Sequence, residues 1–180
     1  VTIADEADSG SDGLVSDETT ETVTMGAGTN TITGSASQDV IATTIANFDG
    51  FNTVNGAGST DTIFITDTGT VVDNDFTGKT SIEVLDNDNV AVTATLGAKA
   101  AAAGLTTFTS GTANDTVTLD SGFTSAITVD LSAGGANAVV TTSYTGTATI
   151  TGGGGVDTIT AGANVITMAN AAGGADVLIV

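Results

Sequence analysis

The amino-acid sequence predicts an all-β chain that folds as a parallel β-solenoid of short strands with one short alanine-rich helix. Two observations predict this class. Clusters of Val, Ile, Leu and Phe recur, mostly at spacings of about 8–12 residues, with Gly, Asn or Asp between them. A turn-then-strand pattern, Gly-x-Asx-x-apolar, also recurs along the chain. In a solenoid each coil buries its inward apolar residues against the neighbouring coils. A β-sandwich is the alternative that the same strand rhythm allows.

The composition is consistent with short strands separated by turns. Of the 180 residues 24 are Gly, and Cys, Pro, His and Trp are absent. Thr, Val and Ile favour strands, whereas Gly interrupts them. The absence of Cys excludes a disulfide framework and a thiolate metal site. We expect residues 1–22 to form an acidic N-terminal arm and residues 23–180 to form a β-repeat structural domain, with a sub-boundary near residues 95–105.

The charge balance excludes two classes of partner. Lys79 and Lys99 are the only bases against 21 acids, for a formal net charge of −19. Because phosphate backbones are bound by Lys and Arg, we expect no nucleic-acid binding. No apolar run is long enough for a membrane helix, so we expect no membrane insertion. High salt or divalent cations would relieve the self-repulsion, and an extracellular or cell-surface location agrees with this need.

One nine-residue stretch carries the repeated pattern in full. Residues 152–160, Gly-Gly-Gly-Gly-Val-Asp-Thr-Ile-Thr, match G-G-x-G-x-D-x-U-x, in which U is a large apolar residue. The glycines permit a tight turn, the aspartate offers a hard oxygen ligand, and the apolar residue begins a strand. Shorter or looser copies, at irregular spacing, begin at Gly28, Gly58, Gly111, Gly135, Gly162 and Gly174. The pattern indicates one turn-then-strand unit that is used many times.

One segment departs from the strand rhythm. Residues 96–104, Leu-Gly-Ala-Lys-Ala-Ala-Ala-Ala-Gly, contain the strongest helix formers of the chain. The final glycine is the residue that most often ends a helix. We therefore predict about two helical turns that end at Gly104.

The middle and later part of the chain resembles a module of bacterial secreted and surface-layer proteins with repeats-in-toxin-type Gly-Asp repeats. The matching stretches are residues 82–85 (Ile-Glu-Val-Leu), 95–108 (from Thr-Leu-Gly-Ala to Leu-Thr-Thr-Phe) and 114–117 (Asn-Asp-Thr-Val). The resemblance covers residues 76–180. It implies export, calcium bound in the Gly-Asp turns, and a role in adhesins, surface arrays or fibres. The chain departs from the family in having one complete nonapeptide, whereas consecutive pairs normally complete a calcium site.

Calcium is accordingly the expected cofactor, because carboxylate, amide and carbonyl oxygens are its preferred ligands. The alternative for each candidate is an ordinary turn in which the Asx side chain hydrogen-bonds nearby backbone. The candidate metal ligands are Asp157, Asp176, Asn164, Gly153, Gly155, Asp86 and Asp88.

Three other chemistries have partial signals. Asp67-Thr68-Gly69 follows a hydrophobic run and resembles the active-site loop of aspartic proteases, but a single copy requires a dimer, and a β-turn explains it equally. A Lys-Asn isopeptide bond at Lys79 or Lys99 is an alternative to two exposed lysines. Asn114-Asp115-Thr116 is a glycosylation sequon, so glycans are among the expected partners.

These observations predict a non-enzymatic extracellular structural protein that assembles with itself into a surface layer or filament, with calcium assisting. The expected contact joins terminal strands, since residues 177–180 are all apolar and residues 1–4 form a short apolar segment. Three alternatives remain. The chain is a calcium-binding repeat region of a secreted enzyme or adhesin, a phage fibre segment that binds glycans, or a dimeric aspartic protease.

Overall fold

The strands of the protein stack in parallel as a β-solenoid in a computed structural model, which confirms the predicted fold class. The structure describes residues 2–4, 13–15, 21–87, 89–141, 143–170 and 173–180. Every pairing between strands of these residues is parallel. A β-sandwich is built from antiparallel sheets, so that alternative does not hold.

The described residues form short strands, one α-helix and one 3-10 helix. In chain order the strands are β1 (Thr2–Ala4), β2 (Gly13–Val15), β3 (Glu21–Met25), β4 (Thr31–Thr33), β5 (Asp39–Thr43), β6 (Thr53–Asn55), β7 (Thr62–Ile65), β8 (Gly69–Val71), β9 (Lys79–Thr80), β10 (Val84–Asp86), β11 (Val92–Leu96), β12 (Thr107–Thr109), β13 (Thr116–Leu119), β14 (Ile127–Asp130), β15 (Ala138–Thr141), β16 (Thr147–Thr151), β17 (Thr158–Ala161), β18 (Val165–Asn170) and β19 (Val177–Ile179). The α-helix α1 spans Ala98–Ala103, and the 3-10 helix spans Asp73–Phe76.

Three parallel sheets run along the solenoid. Sheet A takes a strand from every coil, in the order β1-β3-β5-β7-β10-β12-β14-β16-β18. Sheet B (β2-β4-β6-β9) lines the N-terminal coils, and sheet C (β8-β11-β13-β15-β17-β19) lines the C-terminal coils. One coil contributes β7, β8 and β9, and therefore a strand to each sheet. Sheet A continues unbroken through residues 95–105, the region of the expected sub-boundary.

The coils are wider in the middle of the solenoid than at its two ends. In sheet A Thr22 pairs with Val40, a step of 18 residues, and Thr149 pairs with Thr167, again 18 residues on. Between these ends Val84 pairs with Thr107, a step of 23 residues. The additional residues of the middle coils form the third side of the cross-section, as β8, the 3-10 helix or α1.

The core is a set of inward columns in which each coil repeats the burial pattern of the previous one. The strands alternate buried and partly exposed residues, as the period of two requires. Registered pairing then places apolar residues directly above one another. The main column of sheet A is at most 1% exposed and consists of Val23, Ile41, Ile63, Leu85, Phe108, Val129 and Ile150.

The predicted helix is present and ends at Gly104 as expected, because Gly104 adopts a left-handed φ of 105°. Its first turn is capped from a distant part of the chain. The Asp73 carboxylate accepts the N–H groups of Gly97 at 2.8 Å and Ala100 at 2.9 Å. Ala100 and Ala103 are buried, so the helix closes the coil that follows the last strand of sheet B.

Two strands lie inside the predicted N-terminal arm. Thr2–Ala4 was expected as a strand, and β1 pairs there with β3. Gly13–Val15 was expected to be solvated, yet β2 pairs in register with β4. The rest of residues 1–20 lies outside the described residues. In the described part of the chain no helix is long and apolar enough to cross a membrane.

The columns predict a strong asymmetry between inward and outward substitutions on one strand. Phe108→Ala should lower the free energy of unfolding by about 3–5 kcal/mol, because it removes a fully buried ring between two coils. Thr109→Ala, on the outer face of the same strand, should change it by about 0.5 kcal/mol or less. Urea denaturation monitored by circular dichroism measures both. Equal effects would contradict the assignment of Phe108 to the core.

Candidate functional site

The Asp or Asn of the repeated pattern points inward at the start of a strand, and these residues form columns at the corners of the solenoid. They are buried even though they are polar. The columns are Asn30 and Asn52 before sheet B, Asp39, Asp61 and Glu83 before sheet A, and Asp115, Asn137, Asp157 and Asp176 before sheet C. We call them the Asx columns, including Glu83.

The side chain of each later coil accepts the backbone N–H of the residue below it in the column. Asp115 N–H donates to Asn137 Oδ1 at 2.9 Å, and Asn137 N–H donates to Asp157 Oδ1 at 3.1 Å. Asp157 N–H donates in turn to Asp176 Oδ1 at 3.0 Å. A buried N–H without an acceptor costs free energy, so the columns complete the backbone hydrogen bonding at the corners.

Asp157, the aspartate of the complete nonapeptide, is fully engaged by the protein. It is 0% exposed. Its Oδ1 accepts both the N–H and the Nδ2–H of Asn137, the latter at 3.2 Å, and its Oδ2 accepts Gly153 N–H at 2.9 Å. With three donors on two oxygens, the carboxylate has little capacity left for a metal ion. Calcium at Asp157 stays a prediction, and the residues around it fit the ion poorly.

The glycines of the nonapeptide allow adjacent turns to approach closely. A Cβ at Gly155 would lie 2.0 Å from the carbonyl oxygen of Gly135, in the turn one coil earlier. A Cβ at Gly153 would lie 2.3 Å from the carbonyl oxygen of Leu131. Both distances are far below van der Waals contact, so glycine is required here by the stacking of the coils.

The other candidate metal ligands do not form one site with Asp157. Asp176 belongs to the same Asx column, one coil later. Asn164 lies at the opposite corner, before β18, where its Oδ1 accepts Gly162 N–H at 3.2 Å. Asp86 ends β10, and Asp88 lies outside the described residues. Over the described ranges no cluster of three or more His, Cys, Asp or Glu side chains is arranged to hold a metal ion.

Asp61 is a buried carboxyl group in a column of acids. Its Oδ1 accepts Asp39 N–H at 2.8 Å, whereas its Oδ2 has no hydrogen-bond partner in the protein. Burial raises the pKa of Asp61 to about 6, the hydrogen bond from Asp39 N–H opposes the rise, and the charges of Asp39 and Glu83 add to it. Like charges one coil apart therefore make this corner sensitive to pH.

Lys79 is an internal cation, which sequence reasoning did not detect. It is 3% exposed, and its Nζ donates to the carbonyl oxygens of Asp49 at 2.6 Å, Asn52 at 2.7 Å and Thr77 at 3.1 Å. The amine also lies 5.5 Å from the centre of the Phe48 ring. Burial lowers the pKa of Lys79 to about 8 against the opposing charge of Asp49. The pattern of buried positions in β4 and β6, continued one coil further, is the signal that was available.

The loop that resembles a protease active site has a structural use. Asp67 lies in the turn between β7 and β8, and its Oδ1 accepts Ile45 N–H at 2.7 Å, 22 residues earlier. This bond again joins a side chain to the backbone of the previous coil. Lys99, the other candidate for an isopeptide bond, hydrogen-bonds through Nζ to Asn74 Oδ1.

Comparison with known proteins returned no relative. No protein-family model matches the chain, and no curated protein or solved structure matches it either.

The hydrogen bonds of Asp157 predict a large cost for removing its carboxylate. Asp157→Ala leaves three donors on Asn137 and Gly153 without an acceptor, and it should lower the free energy of unfolding by about 3 kcal/mol or more. Asp130→Ala is the matched control, because Asp130 Oδ1 accepts Ser132 N–H, two residues on in the same turn. The control should cost about 1 kcal/mol. Urea denaturation in EGTA measures both without any contribution from calcium, and equal losses would contradict the structural role.

The raised pKa of Asp61 predicts a pH-dependent gain from Asp61→Asn. A raised pKa in the folded state gives stability that is complete below the ordinary value of 3.8 and is lost as the pH rises through about 6. Asparagine keeps the acceptor for Asp39 N–H and carries no charge. The melting temperature of the variant minus that of the parent should therefore increase between pH 4 and pH 7. A difference that is independent of pH would show that Asp61 is not the titrating group.

Proposed function

We propose that the protein is an extracellular structural protein that assembles end to end into a filament or surface layer. The observation that carries the proposal is the exposure of core-type residues on the C-terminal face of the solenoid. We define this face as β18 and β19, and the N-terminal face as β1 and β2. The sequence-based expectations of export and of assistance by calcium belong to the same proposal.

The C-terminal face exposes a column that is buried everywhere else in sheet C. Leu178 pairs in register with Ile159 and continues its inward column, yet Leu178 is 54% exposed whereas Ile159 is 1% exposed. The neighbouring Val177 and Ile179 are 44% and 48% exposed. Apolar surface of this kind gains roughly 25 cal/mol for each Å² that a partner removes from water. The face therefore favours a covering coil.

The two end faces have compatible backbones. Each of β1, β2, β18 and β19 pairs with a single strand of the described chain, so each face offers a row of unpaired backbone groups. Because every pairing is parallel, the free edge of β18 presents to β1 of a second copy the same pattern that β16 presents to β18. The narrow coils at both ends, with 18-residue steps, give the two faces similar widths.

A contact between different faces of identical chains does not close on itself unless its rotation forms a ring, so it produces an open fibre. Strand addition at a sheet edge supplies main-chain hydrogen bonds, and the exposed Leu178 column supplies the hydrophobic contact. A further coil of a longer chain would cover the same face, and the 180-residue chain by itself distinguishes the two cases.

Charge introduced on the C-terminal face should abolish assembly. We expect the double variant Leu178→Asp and Ile179→Asp to sediment as a folded monomer, while the parent forms fibres visible by electron microscopy. Phe51→Asp is the control, because Phe51 is 78% exposed and lies away from both end faces, and it should assemble like the parent. Circular dichroism verifies folding of each variant. A monomeric parent, or a double variant that still polymerises, would overturn the end-to-end proposal.

A further inference from the structure

Three buried oxygen atoms without a hydrogen-bond partner in the protein lie at one corner of the middle coils. They are Asn87 Oδ1, Ser110 Oγ and Asp115 Oδ2. The three residues are 0%, 2% and 1% exposed, respectively. We call this group the oxygen corner. It is located where the chain passes from sheet A to sheet C.

The register of the sheets brings these residues together. Asp86 pairs with Thr109, so the next residues of the two strands, Asn87 and Ser110, occupy equivalent positions in adjacent coils. Asp115 begins the sheet C side of the later coil, and its Oδ1 accepts Asn87 Nδ2–H at 2.7 Å. The oxygen corner therefore spans two coils and is held together by a direct side-chain contact.

The orientation of the Asn87 amide is set by two acceptors. Its Nδ2 donates to the Val90 carbonyl oxygen at 2.7 Å and to Asp115 Oδ1 at 2.7 Å. A flipped amide would place its oxygen against both of these oxygens, so Oδ1 must be the atom that points away from them. Oδ1 is therefore free to accept from, or to coordinate, another species.

The second oxygen of Asp115 differs from that of the comparable aspartates in other coils. Asp157 Oδ2 accepts the N–H of Gly153, and Asp39 Oδ2 accepts the N–H of Ser35, in each case four residues earlier in the same turn. Asp115 has the usual partner for Oδ1, with Val92 N–H at 2.7 Å, but Oδ2 lacks its local donor. The column therefore keeps one carboxylate oxygen available at Asp115 and none without a donor at Asp157.

The charge of Asp115 is not balanced by a basic side chain. The chain has two bases, and both are engaged elsewhere, Lys79 with backbone carbonyls and Lys99 with Asn74. Burial raises the pKa of Asp115, which expresses the cost of holding this carboxylate away from water. A buried carboxylate is normally paired with a cation.

We propose that the oxygen corner binds a hard divalent cation of the calcium type, held by Asn87 Oδ1, Ser110 Oγ and Asp115 Oδ2. An amide, a hydroxyl and a carboxylate oxygen are all ligands of this class, and the remaining positions would be filled by carbonyl oxygens of the turns and by water. The site is different from the Gly-rich nonapeptide, where the carboxylate is already occupied by N–H donors. It lies in the middle of the solenoid and does not depend on assembly through the end faces.

The test compares two aspartates of the same Asx column. Melting temperatures of the full chain are measured in EGTA and in a calcium chloride series, with magnesium chloride as a second series. The parent should melt higher in calcium and respond less to magnesium, which gives up its water reluctantly. Asp115→Asn keeps an acceptor for Val92 N–H and should lose the calcium response. Asp157→Asn should start from a lower melting temperature and keep the calcium response.

Each outcome decides the proposal. A parent without a calcium response, an Asp115→Asn variant that retains the response, or an Asp157→Asn variant that alone loses it would overturn the site. If Asp115→Asn does not fold, Ser110→Ala replaces it and should shift the response to higher calcium concentrations. A crystal structure grown with calcium should show a peak about 2.3–2.6 Å from the three oxygens, whereas a water at about 2.7–3.0 Å would overturn the cation. Sedimentation of the same samples reports on assembly separately.

Discussion

The fold depends on one recurring interaction, the hydrogen bond from a backbone N–H at a coil corner to an Asx side chain of the next coil. Parallel strands satisfy one another along their length, but the corners between sheets leave N–H groups that water cannot reach. The Asx columns supply the missing acceptors, with donor-acceptor distances of 2.6–3.1 Å. This need explains why a strongly acidic chain buries several of its acids, and why Gly precedes so many of them.

The same economy of charge links the middle of the molecule to its surface. With two lysines and 21 acids, the protein cannot neutralise its buried carboxylates with its own cations. Lys79 is used to tie carbonyl oxygens of neighbouring turns together, and Asp61 and Asp115 each keep an oxygen without a protein partner. Protons and solvent cations are the remaining means of compensation, so stability should depend on pH and ions more than is usual for a domain of this size.

The solenoid, the parallel pairing and the helix ending at Gly104 could be predicted, because each follows from local chemistry: β-branched repeats, Gly-Asx turns and alanine helix propensity. The contacts of the candidate site could not. Whether Asp157 faces a metal or the N–H of Asn137 depends on a register of 20 residues between coils, and the irregular spacing of the motifs concealed it. The burial of Lys79 and the capping of α1 by Asp73 likewise depend on contacts between different coils. Asn87, which matters more than its acidic neighbours, has no signal in the sequence beyond its position after a strand.

The hydrogen bonds of the Asx columns all point one way along the solenoid axis. A coil donates its corner N–H groups to side chains that come later in the chain, so no coil is complete until its successor has been added. On a ribosome, which delivers the chain from the N-terminus, each emerging coil would finish its predecessor and leave itself as the least stable unit. The molecule is thus polar in its growth as well as its shape, and opening from the C-terminal coil should precede opening from within.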